Sequence, residues 1–278
     1  GADALVANTT GSENVSVGFY SLGKNTTASY NTAVGYKALL ANTTAAKNTA
    51  VGHSALKSAT TGGDNVAIGY NSVDGLTTGT NNICIGLEVS SAASAVGNEI
   101  TTGSQNICIG AYSRVADGTT DGGIALGYGV GGSSGTTTIG NGTSDIRTTH
   151  GSTSWAAVSD ERYKKDIVDS TAGLSFVNAL QPRTFKYKTL GELPTTFNAY
   201  EEDSTEVFKN STTNHGFIAQ EVKAAIDADA GIKDGFRMWD DRPDGSQEVG
   251  EAALIPVLVK AIQELSAKNE ALLARIVT

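Results

Sequence analysis

Few residues in this 278-residue chain have side chains that do chemistry by themselves. There are two cysteines, Cys84 and Cys108, and three histidines, His53, His150 and His215. Two cysteines cannot build a four-thiolate zinc site or a disulfide-dense scaffold. The histidines stand alone, without metal-ligand spacing, so neither a metal nor a cofactor is expected. The nine carboxylates of residues 1–150 are scattered and form no local pair of the kind a glycan-cleaving enzyme uses, although such a pair need only meet in space. The densest run of functional types is Ser159-Asp160-Glu161-Arg162-Tyr163-Lys164-Lys165-Asp166-Ile167. Taken alone, it reads as an ordinary helix start, with a hydroxyl or carboxylate cap and acidic residues in the first turn.

The elements that must position these residues fall into two halves. Residues 1–150 hold 25 of the 33 glycines, no proline and only 15 charged residues. Residues 151–278 hold all four prolines and 34 charged residues. This step marks a domain boundary near 145–158. The net charge of −9 argues against a nucleic-acid backbone as partner, and no apolar run approaches the roughly 18 residues of a membrane helix. Because Gly1 follows no Met and no signal segment opens the chain, a fragment of a longer protein is expected.

The first half is repetitive. An Asn-x-small-aliphatic-Gly segment recurs from Asn14, Asn31, Asn48, Asn65, Asn82 and Asn106, with a degenerate copy at Gly123–Gly127. The closing glycines Gly18, Gly35, Gly52, Gly69 and Gly86 are 17 residues apart, and an insertion of seven precedes Gly110. Alternation within each copy predicts a short strand: Val, Thr or Ile flank a small residue, which is Ser16, Ala33, Ala50, Ala67, Cys84, Cys108 or Ala125. The flanking aliphatics are expected to form the apolar face, and the small residue to point where space is tight. The cysteines read as a redox pair or, more simply, as small buried residues in an alanine column. The closing glycine permits a positive φ, and the aligned asparagines predict a side-chain ladder between rungs. One such unit cannot bury its own apolar face, so units must stack. Seven or eight rungs would make a rod of roughly 35–40 Å. The low charge favours three chains around a common axis, in the style of trimeric bacterial adhesin heads and phage-fibre shafts.

In the second half, the run 159–167 is followed by Leu180-Gln181-Pro182 to Phe185. Then come His215-Gly216-Phe217-Ile218-Ala219-Gln220-Glu221-Val222 and finally Leu254-Ile255-Pro256 to Leu265. In this order the motifs resemble the C-terminal auto-processing chaperone domain of phage tailspikes and tail fibres, over about 159–278. The resemblance implies a self-cleaving serine–lysine dyad with Ser159 as nucleophile and Lys164 as base. The residue types suit it: a serine hydroxyl needs a base within reach, and Lys serves if burial or nearby positive charge, here Arg162 and Lys165, lowers its pKa. Scission is expected at Val158–Ser159 after an acyl shift, with Ser159–Asp160 as the alternative bond. His215 and Gln220 are candidates to orient the scissile carbonyl, or else simply mark a strand-to-helix junction.

The last helix carries a heptad seam: Ile255, Leu258, Ile262, Leu265, Asn269, Leu272 and Ile276, spaced 3, 4, 3, 4, 3, 4. In isolated coiled coils this pattern leans towards two strands, whereas the resemblance implies three.

The expected architecture is an all-β repeat array, a trimeric β-roll or β-helix-like shaft, over 1–145. A linker follows at 146–158, then an α+β chaperone and autoprotease domain at 159–278 ending in a long coiled-coil helix. The expected function is the distal part of a phage tail fibre. It would be a homotrimer in the virion, made in the host cytoplasm, with a host-surface glycan or protein as receptor and with no nucleic acid or membrane insertion. Loops 87–105 and 128–138 are the expected receptor contacts. The rival readings are a glycan-cleaving tailspike fragment, a bacterial surface protein, or a cellular protein that uses the same processing domain, such as the membrane-tethered transcription factors related to myelin regulatory factor.

Overall fold

The structure is a computed structural model that describes residues 1–277 except 92–98, 143, 158, 230, 233–235 and 237. The chain divides into two compact units, Gly1–Tyr163 and Lys164–Thr278.

The first unit is a β-solenoid. Strands β1 (Val15–Val17), β2 (Thr32–Val34), β3 (Thr49–Val51), β4 (Val66–Ile68), β5 (Ile83–Ile85) and β6 (Ile107–Ile109) pair in parallel and in register. A two-stranded side sheet joins β7 (Arg114–Val115) to β9 (Gly131–Gly132). The main stack continues through β8 (Ile124–Tyr128) and β10 (Thr136–Asn141), and then reverses into the antiparallel β11 (Ser144–Thr149) and β12 (Ala156–Ala157). Each 17-residue repeat is one turn, so the rungs stack within a single chain. Segment 146–158, expected as a linker, instead holds most of β11 and all of β12. The unit boundary falls after Tyr163 rather than at 158.

The small residues do point where space is tight, but that tight face is the core, and the flanking aliphatics expected to form the buried apolar face do not line it. The small residues Ala33, Ala50, Ala67, Cys84, Cys108 and Ala125 point inward and are fully buried. They are small because a second column, Leu22, Leu39, Leu56 and Val73, shares the same core, which Val89 and Val115 extend in the later turns. That column turns a corner in the left-handed region, with Leu22, Leu39 and Leu56 at φ 49, 51 and 50. The flanking aliphatics face outward. Val17, Val34, Val51, Ile68, Ile85, Ile109, Leu126 and Ile139 form one in-register row on the outer sheet face, and Val17 is 55 % exposed. One chain therefore encloses its own core but leaves an aliphatic row in solvent.

Two asparagine ladders satisfy the polar interior. The first was anticipated: Asn31, Asn48, Asn65, Asn82 and Asn106 each donate a backbone N–H to Oδ1 of the asparagine one rung back, at 2.9–3.1 Å. Each also donates Nδ2–H to a carbonyl of the neighbouring turn, as Asn31 does to Ala45. A buried amide with its donors and acceptor engaged escapes the desolvation cost of an unpaired one. The second ladder, Asn8, Asn25 and Asn42, stops where the column changes to Ala59 and Leu76. The last acceptor, Asn42 Oδ1, has no hydrogen-bond partner among the described residues.

The second unit is α+β. It contains α1 (Leu174–Ala179), α2 (Ala219–Ala228) and α3 (Leu254–Val277), with antiparallel pairs β13 (Arg183–Phe185) and β14 (Asn214–Gly216), and β15 (Trp239–Asp241) and β16 (Gln247–Val249). Its core gathers Phe176, Val222, Ile226, Met238, Leu254 and Val257. Helix α3 begins two residues before Pro256, inside the first turn, where a missing N–H costs nothing. Its inward face is Leu254, Val257 and Ala261, a different stripe from the heptad seam. The Glu264 carboxylate accepts the Leu174 N–H at 2.9 Å and so caps α1, which has no side-chain cap of its own. This contact fixes the rotation of α3 and keeps the seam outward: Ile255, Leu258, Ile262, Leu265, Leu272 and Ile276 are all exposed, Ile262 by 65 %. No helix among the described residues is long and apolar enough to cross a membrane.

Candidate functional site

The segment around Ser159 is irregular. Ser159 and Lys164 are both solvent-exposed, and they flank a single 3-10 turn, Glu161–Tyr163. That turn is the short helix start that the run suggests when read alone. Asp160 accepts the Arg162 backbone N–H at 2.9 Å and pairs with its guanidinium at 2.9 and 2.6 Å. Arg162, one of the two cations expected to act on Lys164, is thus engaged by Asp160, whose carboxylate raises the Arg162 pKa. The unit boundary passes between Ser159 and Lys164. Of the expected scissile bond, Val158 lies outside the described residues; Asp160, in the alternative bond, is described.

His215 and Gln220 are brought together. His215 sits on β14 opposite Thr184, and Gln220 lies in the first turn of α2, so the strand-to-helix junction is present. Both line one open cleft of about 1030 Å³ within the second unit, together with Phe185, Tyr187, Phe197 and Phe208. Lys164, in the same unit, is not among the residues lining it. Beneath the junction, Arg183 of β13 makes a paired contact with Glu221 of α2, Nε–Oε2 3.0 Å and Nη2–Oε1 2.7 Å. Arg183 holds the Glu221 carboxyl below the usual carboxylate range. This fork ties the Leu180-Gln181-Pro182 motif to the Gln220-Glu221 motif.

The far rim of the cleft is tied by Asp244, which no sequence signal singled out. Its carboxylate accepts Ser246 Oγ–H at 2.7 Å, the Ser246 N–H at 3.0 Å and the Asn198 N–H at 3.1 Å. The Ser246 hydroxyl, followed by the Asn198 amide, lowers its pKa to about 2. Since the folded-state value is depressed, this contribution is present above about pH 3.9 and is lost as pH falls towards 2. A carbon-13 titration of the Asp244 carboxyl is expected to show its midpoint near 2. In Ser246→Ala that midpoint rises towards about 3.9. An unchanged midpoint in the variant would assign the depression to another cause.

The remaining candidates have structural roles. Cys84 and Cys108 are free thiols paired in register between rungs, in the alanine column. The hydrogen bond to Cys108 and then burial push the Cys84 thiol up. His53 stacks between Tyr36 and Tyr70 in an exposed ring column, at 4.9 and 5.0 Å. Of the expected receptor loops, 92–98 lies outside the described residues, while Val89, Ser90, Ser91, Ile100 and Val130 are buried.

Residues 159–231 match the family model of a peptidase family described as the chaperone of endosialidase. No curated protein and no solved structure matches the chain. The matched segment begins at Ser159, behind a β-solenoid of about seven turns, and this order fits a tail-fibre C-terminal chaperone domain.

Proposed function

We propose that this chain is the distal part of a phage tail fibre, a homotrimer whose C-terminal unit directs assembly and then removes itself. The observation that carries the reading is the family match beginning at Ser159, the residue that the resemblance makes the nucleophile. In the proposed reaction Ser159 Oγ attacks the Val158 carbonyl carbon, and neutral Lys164 accepts the hydroxyl proton. The peptide bond to the Ser159 nitrogen breaks as the nitrogen takes up a proton, leaving an ester. Water then hydrolyses the ester to a Val158 carboxylate and the Ser159 hydroxyl. Because the attacked carbonyl belongs to the same chain, proximity replaces substrate binding.

Self-association is supported by two apolar surfaces that one chain leaves in solvent: the outward aliphatic row of the solenoid and the seam of α3. Trimerisation through α3 would raise the local concentration of three arrays and set their register before slow rung-to-rung docking. Cleavage afterwards makes assembly one-way, which gives kinetic stability. In the virion the exposed solenoid surface would meet a host-surface glycan or protein.

A denaturing gel tests the chemistry. Wild type is expected to give products of 158 and 120 residues (278 − 158 = 120), while Ser159→Ala and Lys164→Ala each give one full-length band. The loss is expected to be complete on the gel, because removing either member of such a pair costs about 10⁴-fold or more in rate. An uncut wild-type chain under assembling conditions would refute the self-cleaving reading.

A further inference from the structure

The second unit exposes two features whose chemistries match each other. One is the stretch Asp166-Ile167-Val168-Asp169, which bends at Asp166 (φ 53). It has no regular secondary structure, and Ile167 and Val168 are 63 % and 85 % exposed. Residues 165–170 make no backbone–backbone hydrogen bond among the described residues. An exposed apolar pair on an unpaired backbone is poorly placed in water and well suited to docking.

The other feature is the cleft beside β14. Its wall is aromatic: the rings of Phe185 and Tyr187 meet edge-on at 5.4 Å, and those of Tyr187 and Phe208 at 5.7 Å. Its lining holds four fixed cations, Lys186, Lys188, Lys209 and Arg242, against three carboxylates, Asp244, Glu248 and Glu251, a surplus of one positive charge. Lys209 lies over the Tyr187 and Phe208 rings at 5.3 and 5.4 Å, and Lys186 and Lys188 stand beside it. None of these three lysines forms an ion pair among the described residues, whereas the cleft's other fixed cation, Arg242, is engaged by Glu248. The surplus stands out because residues 151–278 carry a net charge of −6 (14 basic, 20 acidic).

We propose that this cleft receives Asp166–Asp169 of a second copy of the chain, with Ile167 and Val168 against the rings and the two aspartates against the lysines. Lys164 and Lys165 stay outside the cleft. A second copy is the fitting occupant because one chain alone leaves the apolar pair in solvent and the aromatic wall only half covered, and because the two aspartates complement the lysines. The inference rests on the self-association proposed above and adds a regulatory step to it. Asp166 is two residues from Lys164, so docking would immobilise the proposed dyad at the rim of the neighbouring chain's cleft. Processing would then wait for assembly, and a lone chain would not destroy its own chaperone.

The test uses the full chain carrying Ser159→Ala, so that it stays whole, with a photo-crosslinking benzoylphenylalanine at position 168. Light and ¹⁵N-heavy chains are mixed before assembly. Cross-links from position 168 to residues 185–217 joining a light and a heavy chain are expected. Lys188→Glu with Lys209→Glu should cut their yield about fivefold, and adding Asp166→Lys with Asp169→Lys should restore it. Cross-links confined to one chain, cross-links landing outside the cleft, or a yield indifferent to charge reversal would each overturn the docking. The mass of the same sample by light scattering separates the two failures. A monomer overturns self-association and the docking with it. A multimer without the inter-chain cross-link overturns the docking alone.

Discussion

Gly52→Ala is expected to lower the melting temperature of the repeat unit by about 10 °C, against about 2–5 °C for Gly122→Ala. Both glycines have positive φ, but their surroundings differ. Gly122, at φ +63, lies in the ordinary left-handed region, and a Cβ there would meet nothing within 4 Å. Alanine at that site pays only the left-handed penalty of about 1–2 kcal/mol. Gly52, at φ +133, occupies a region open in practice only to glycine, and its Cβ would lie 2.3 Å from the Gly69 carbonyl oxygen of the next rung. That oxygen is backbone and cannot swing aside like a flexible side chain. The two rungs must therefore separate, which loosens the bonds from Gly52 N–H to the Val34 carbonyl and from Gly69 N–H to the Val51 carbonyl, each 2.8 Å. Backbone strain and disrupted pairing together cost about 3–5 kcal/mol. In a unit of 163 residues this corresponds to about 10 °C by calorimetry. Equal shifts for the two variants would contradict the close stacking of the glycine column.

This column was legible because a fixed 17-residue spacing places like residues above one another, and only glycine suits a crowded corner at positive φ. The asparagine ladder was legible for the same reason. Which strand face is the interior was not. Alternation separates two faces without saying which one meets the core, and the answer depended on the leucine column across the turn. Leu22, Leu39 and Leu56 sit at positive φ, against the backbone preference of leucine, so no local signal places them there. The second asparagine ladder is not legible because it gives way to Ala59 and Leu76, which breaks the column. The proposed Ser159–Lys164 dyad rests only on the family resemblance, since the run between these residues by itself makes a short helical turn. The ties that shape the second unit join residues far apart in sequence: Leu174 to Glu264 across 90 residues, Arg183 to Glu221 across 38, and Asn198 to Asp244 across 46. Spacing rules of a helix or strand do not reach such pairs.

Ile262→Asp with Leu265→Asp is expected to lower the association constant of the chain by about 100-fold or more while leaving the second unit folded. The prediction follows from the two stripes of α3. Val257 and Ala261 face the unit's own core, and Glu264 locks the helix to α1, so neither contact is touched by changes at positions 262 and 265. Both substituted side chains are exposed in the single chain, where a carboxylate costs little. In an assembled seam each would forfeit about 1.5–3 kcal/mol of apolar burial per chain and place charge in a closed interface. Sedimentation equilibrium should show a multimer for wild type and a monomer for the double variant, with matching circular dichroism. Ala261→Asp is the contrasting change, because it places charge on the inward stripe and should unfold the unit before any question of assembly arises. If assembly precedes processing, the double variant should also remain uncut. A wild-type chain that stays monomeric at micromolar concentration, or a double variant that still associates, would remove the seam from the mechanism. In the second case the outward row of the solenoid would be left as the surface on which copies meet.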